Sequence, residues 1–183
     1  QIEGDGSPLA GKRIAVWGDQ GVGDEILRFS MLPDLVARDA DVLVECDYRL
    51  VSLVQRSFPT VSVFARKEVP HERLQRPDID FHKAASGLAR WLRRDFADFP
   101  VRNSYLLPDE TRRQVWQQRL SALGPGLKVG ISWRSRLQTR ERRRSYTSLD
   151  QWQPIFSLPG IHFVNLQYDE CEEEIVAAET RYG

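Results

Sequence analysis

The chain has 183 residues, 41% apolar and 28% charged, which suits one soluble domain, or one and a half small ones, with a sizeable core. Lysine plus arginine (26) equals aspartate plus glutamate (26), so overall charge points to neither a nucleic acid nor a membrane surface. No apolar run approaches transmembrane length and no signal peptide opens the chain. The cysteines Cys46 and Cys171 stand far apart without metal-ligand company. They read as free thiols in a reducing, cytoplasmic compartment, with no bound metal. The chain begins at Gln1, which reads as a piece cut from a longer protein.

Residues 1–10 are polar and read as a linker. Residues 12–17 carry a short continuous apolar run, as a buried parallel strand does. Ile26, Leu27, Phe29, Met31, Leu32, Leu35 and Val36 then form an apolar face at helical spacing. Pro33 lies inside that helix and is expected to kink it near Phe29. Asp39 is expected to end it in the left-handed conformation. Strands follow at 42–46, 61–64 and, more weakly, 79–82. Helices are expected over 48–57 and 88–94, with a short one around 71–75. Residues 99–107 read as extended.

Residues 108–123 read as a helix opened by Pro-Asp-Glu and closed by Gly124-Pro125-Gly126, where a domain boundary is placed. A strand at 127–133, an arginine-dense loop at 134–146, a helix at 148–156 with Ser148 as N-cap, a strand at 161–166 and an acidic helix at 170–180 complete the chain. Strands alternate with helices throughout, so the class is α/β with parallel sheets.

The organising stretch is Gly18-Asp19-Gln20-Gly21-Val22-Gly23-Asp24-Glu25, between the first strand and its helix. Glycines there permit a sharp turn and close approach of backbone amides to a ligand. The helix N-terminus behind them offers unpaired N–H groups and a positive dipole end. The spacing is Gly-x-x-Gly-x-Gly, neither the dinucleotide fingerprint nor a P-loop. Loop and helix start fall at the carboxyl edge of an α/β sheet, where ligands bind.

Residues 11–26, from Gly11-Lys12 through Gly18-Asp19-Gln20-Gly21-Val22-Gly23-Asp24, resemble the opening of a bacterial glycosyltransferase-like domain that often follows tetratricopeptide repeats. That domain is related to the lipopolysaccharide heptosyltransferases of glycosyltransferase family nine. Lys128-Val129-Gly130-Ile131-Ser132-Trp133, with Arg144-Ser145 beyond, resembles the start of its second domain, and residues 159–167 resemble the next strand. The resemblance implies a GT-B architecture: two Rossmann-like domains, acceptor side first and donor side second, without a metal or a cofactor. Residues 11–125 would form the acceptor-side domain and 126–183 only the beginning of the donor-side domain, so this piece alone is not expected to transfer sugar. Three positions depart from the family pattern: Asp19 stands for a usual glutamate, Asp39 for a common glycine, and Arg134-Ser135-Arg136 for a small Gly-Asn type.

The same resemblance makes Asp24 the general base toward an acceptor hydroxyl and Arg144 a contact to the donor diphosphate. Asp24 also suits a second role, an N-cap bonded to its own helix amides, and such bonds make a carboxylate a poorer base. Gln20 fits a sugar hydroxyl or a loop tether; Gly21 and Gly23 fit ligand approach or a tight turn. Trp133 ends a strand at the expected cleft and is a candidate substrate contact. The other loop arginines are expected to be solvated, and Asp19 and Glu25 structural or solvated. The expected partners are a nucleotide sugar, an acceptor glycan, lipid-glycan or protein, and protein contacts through upstream repeats; nucleic acid is not among them. A non-catalytic binding or scaffold module with the same fold is the other reading.

Overall fold

The computed structural model describes residues 8–136 and 139–182; residues 1–7 of the expected linker and 137–138 of the arginine-rich loop lie outside them. The chain divides into two compact units between Arg112 and Arg113.

The first unit is an α/β layer. Its strands are β1 (Arg13–Trp17), β2 (Asp41–Cys46), β3 (Ser62–Ala65) and β4 (Phe81–Ala84). They form one parallel sheet in the order β3-β2-β1-β4. Ile14 and Val16 of β1 and Val42 and Val44 of β2 alternate onto one face. There they meet Phe29 of α1 (Val22–Phe29), Leu32 and Leu35 of α2 (Leu32–Val36), Val54 of α3 (Val51–Ser57) and Leu92 of α4 (Ala89–Leu92). Each of these side chains is almost wholly removed from water, and burial of one such Leu, Ile or Phe contributes about 2 kcal/mol. Ala15 and Leu43 point the other way, against Leu74 of the 3₁₀ turn Glu72–Gln75. Burial on both faces explains why these strands are continuous apolar runs.

Charges fix the register at the amino edge. Arg13 pairs with Asp41 on β2 (2.6 Å) and with Asp78, while its N–H donates to Asp80 (2.8 Å), which also holds Lys12 (2.9 Å). The expected single kinked helix is two helices. Pro33 lacks an N–H and its ring opposes the Phe29 carbonyl, so α1 stops at Phe29 and α2 restarts with Pro33 in its first turn. Asp39 follows with φ 57°, the left-handed conformation expected of it.

The helix α5 (Glu110–Ala122) lies across the division of the chain. The second unit pairs β5 (Leu127–Ile131) with β6 (Ile161–Asn165) in parallel. Between them lie α6 (Arg140–Arg143), a 3₁₀ turn Leu149–Trp152 and α7 (Gln153–Phe156); α8 (Glu172–Tyr182) follows β6. The expected helix over 148–156 is thus a 3₁₀ turn running into a short α-helix, with the Gln151 side chain accepting the Ser148 N–H at 3.0 Å. Its core is small: Ile131, Trp133, Leu149 and Cys171, flanked by partly buried Phe156, Phe163 and Ile175.

Candidate functional site

The first unit's candidate site lies where the strand order reverses. β1 has β2 on one side and β4 on the other, so the loop after β1 and the segment after β4 leave the sheet in a crevice at its carboxyl edge. Such topological switch points are where open parallel sheets bind ligands. The two segments are joined there: Asp19 accepts the Ser86 N–H at 3.1 Å. Burial pushes the Asp19 carboxyl up, but the Ser86 hydrogen bonds and the Arg28 charge outweigh it and hold the group below its ordinary value.

Gly18, Gln20, Gly21 and Gly23 do different work. Gly18 continues the strand, donating to the Glu45 carbonyl at 2.7 Å. A Cβ on it would stand 2.3 Å from the Glu25 carboxyl carbon and 2.6 Å from the Arg66 guanidinium, so any larger residue there must displace that ion pair. The sharp turn falls on Gln20, at φ 67°, not on a glycine. Gly21 is the N-cap of α1 with extended backbone, and Gly23 sits in its first turn with open space where a Cβ would be. Neither packing nor backbone conformation demands a glycine at 23. A glycine in that position leaves the first-turn amides, which have no intrahelical acceptor, open to close approach.

Arg28, from the last turn of α1, reaches back over this loop. It binds Asp19 through the carboxylate (3.1 Å) and the carbonyl (3.2 Å), and the Gln20 side-chain oxygen (3.0 Å). Gln20 is therefore a loop tether, and its side-chain N–H groups meet no acceptor among the described residues. Asp24 is the third residue of the helix, not its N-cap. One oxygen, Oδ2, accepts the Gly21 N–H at 3.2 Å. The other accepts no hydrogen bond among the described residues. The carboxyl group is half-buried in the first turn, where negative charge is favoured.

Glu25, one residue on, points inward and is 1% exposed. Its carboxylate takes the Arg66 guanidinium at 2.5 Å and the Asp47 N–H at 2.9 Å, and Arg66 also donates to the Gly18 carbonyl at 2.6 Å. This pair ties the ends of β1, β2 and β3 to the start of α1. Sequence reading placed Glu25 as structural or solvated, and it is the first of these. Arg66 carried no signal in the sequence, because its partner lies 41 residues away.

Trp133 and Arg144 belong to the second unit. Trp133 is 5% exposed and its indole N–H donates to Glu174 at 3.0 Å, so the ring is a wall of that unit's core. Beside it Gln167 is a buried hub. Its oxygen accepts from the Ser132 hydroxyl and from the N–H groups of Trp133 and Arg134; its nitrogen donates to the Arg134 carbonyl and Asp169. Arg134 is not solvated as expected: its side chain is 9% exposed, bound to Asp169 at 3.0 Å and to Glu174. Those hydrogen bonds, led by Glu174, raise its pKa against the cost of burial. Arg144 is exposed, caps α6, and makes no ion pair among the described residues.

Among the described residues no group of His, Cys, Asp and Glu is placed to hold a metal ion, and no helix is long and apolar enough to cross a membrane.

No protein-family model matches the chain, and no solved structure matches it. Over 190 aligned positions, covering 97% of the chain, it is 38% identical to Protein FlbA of Caulobacter vibrioides. The alignment takes in 32% of that relative, so the chain spans about a third of its length.

Proposed function

We propose that the chain is part of a nucleotide-sugar-dependent glycosyltransferase of GT-B type, comprising the acceptor-side domain and the beginning of the donor-side domain. The observation that carries the reading is Asp24 in the first helical turn at the switch point of the first sheet, with one oxygen held by Gly21 and the other uncommitted among the described residues. The held oxygen fixes the side chain. The uncommitted one takes the proton of an acceptor hydroxyl as that oxygen attacks the anomeric carbon. The bond from that carbon to the donor phosphate breaks, and its electron pair leaves with the nucleoside diphosphate. Arg144, exposed and without an ion pair among the described residues, suits the diphosphate charge that develops. Gln20 and Gly23 present donors to acceptor or donor oxygens while Gly21 holds Asp24, and Trp133 shapes the donor side from within its core. The nucleotide sugar is a substrate; no cofactor and no metal enter the reaction. The acceptor is a glycan, lipid-glycan or protein, and the longer protein supplies the remaining donor contacts and repeat-mediated protein contacts. A cytoplasmic location fits the two free buried cysteines.

The test is turnover by the full-length protein across a panel of nucleotide sugars, beside its Asp24→Ala variant. Loss of turnover by about 100-fold or more with nucleotide binding retained is expected of a general base. No turnover and no nucleotide binding with any donor overturns the enzyme reading in favour of a scaffold module.

A further inference from the structure

At the carboxyl edge of the first sheet two buried carboxylates stand about one guanidinium. Glu25 comes from α1. Glu45 sits on β2, two residues beyond Leu43 and on the same face, away from the main core. Arg66 follows β3, and its guanidinium binds Glu25 at 2.5 Å and the Gly18 carbonyl at 2.6 Å. The N–H of the same Gly18 donates to the Glu45 carbonyl at 2.7 Å. Gly18 thus joins Arg66 to the Glu45 backbone, while the ion pair of Arg66 goes to Glu25 and not to the Glu45 side chain.

The Glu45 carboxyl group is sealed. The residue is 8% exposed, and its Oε1 has essentially no accessible surface and no hydrogen-bond partner. Such an oxygen is costly on an ionised carboxylate and much less so on a protonated one. Burial is the chief influence on the group and pushes it up; Arg66 pulls against that, and Glu25 adds to the rise. The remaining neighbours do not settle the charge. Asp47, two residues on, is paired with Arg49, and Cys46 packs in the main core. Trp17, beside Glu45 on β1, is uncharged. His82 of β4 lines the same pocket as Glu45, under a roof of Pro70, Leu74 and Gln75. His71 and Arg73 lie against Phe64, the neighbour of Glu45 on β3.

We propose that Glu45 is a proton-operated competitor of Glu25 for Arg66. Protonated, it leaves the guanidinium to Glu25 and Gly18. Ionised, it draws on the same guanidinium and loosens the tie between the start of the glycine-rich loop and the ends of β2 and β3. The folded chain favours the protonated form. The stability that Glu45 contributes is therefore complete below its unfolded-chain value, is lost as pH rises through the higher folded-chain value, and is level beyond it. The device is independent of the glycosyl-transfer reading, since it needs neither Asp24 nor turnover.

Carboxyl ¹³C NMR of the labelled chain follows Glu45 from about pH 4 upward, beside the Arg66 guanidinium ¹⁵N signals, for the native sequence and for Glu45→Gln. Glu45 is expected to titrate above the ordinary glutamate value of about 4.3. The Arg66 signals and the Gly18 and Asp47 amides are expected to move with the same midpoint in the native chain and to lose that transition in E45Q. Urea unfolding is the second readout. The midpoint of E45Q is expected to gain on the native one as pH rises through the Glu45 transition, then to keep a constant lead. His71 and His82 titrate in both chains and cancel from that difference. The proposal is overturned if Glu45 titrates at or below about 4.3, if the Arg66 signals ignore its titration, or if the urea difference is the same at every pH. Should E45Q not fold, the Glu45 midpoint and the Arg66 response in the native chain decide alone.

Discussion

The two units solve the same packing problem with different means. The first has four parallel strands, and helices on one face exclude water from a continuous core that includes Ile14, Val16, Phe29, Leu32 and Leu35. The second has two strands whose residues are mostly half-buried, a four-residue core, and a cavity of about 400 Å³ walled by Ile131, Trp133, Phe156 and Phe163. Two strands alone are marginal in water. What the second unit lacks in apolar burial it replaces with polar order, the Gln167 hub and the Arg134 ion pairs. The lesson is that the first unit's stability rests on shape and the second's on hydrogen-bond satisfaction.

The same substitution in both units tests this most strongly. Leu32→Ala, at 0% exposure, is expected to cost about 4 kcal/mol, and Leu149→Ala, at 8% and beside a cavity, about 2 kcal/mol. Urea unfolding of both variants reads the difference, and equal losses would break the comparison.

Arg66→Ala leaves Glu25 buried without its cation and is expected to cost about 3 kcal/mol. The loss should shrink when Glu25→Gln is added, because the uncompensated charge is then gone. In the second unit Gln167→Leu fits the space but strands the N–H groups of Trp133 and Arg134. It is expected to cost about 2 kcal/mol by the same urea measurement. A neutral outcome would mean that polar order is not what holds that unit.

The glycines of the loop sharpen the contrast within the first unit. Gly18→Ala forces a Cβ into the Glu25–Arg66 pair and is expected to lower stability by about 2 kcal/mol. Gly23→Ala enters open space in a helix and is expected to raise stability by about 0.5 kcal/mol. If turnover of the full-length protein nonetheless falls in Gly23→Ala, the first-turn amides are a ligand contact.

The smallest effect is chemical. Burial, with Glu25 adding to it, pushes the Cys46 thiol up to about 12. At pH 8 almost no thiolate forms, so native Cys46 is expected to resist iodoacetamide and to react only after unfolding, as read by mass spectrometry.

What the sequence alone determined is local. The apolar runs at β1 and β2, the glycine-rich turn after β1, the interruption caused by Pro33 and the left-handed Asp39 all follow from side-chain periodicity and backbone sterics within a few residues. The tertiary structure decided everything that needs a distant partner. It set β4 beside β1, which makes the glycine-rich loop a switch point and joins Asp19 to Ser86. It also decided that Glu25 and Arg66 meet against Gly18, where a Cβ would disturb them, and that Arg134 is paired rather than solvated. Strand order and the pairing of buried charges depend on residues 30 to 70 positions apart. Local periodicity, which arises from neighbours a turn or a pleat away, carries no record of them.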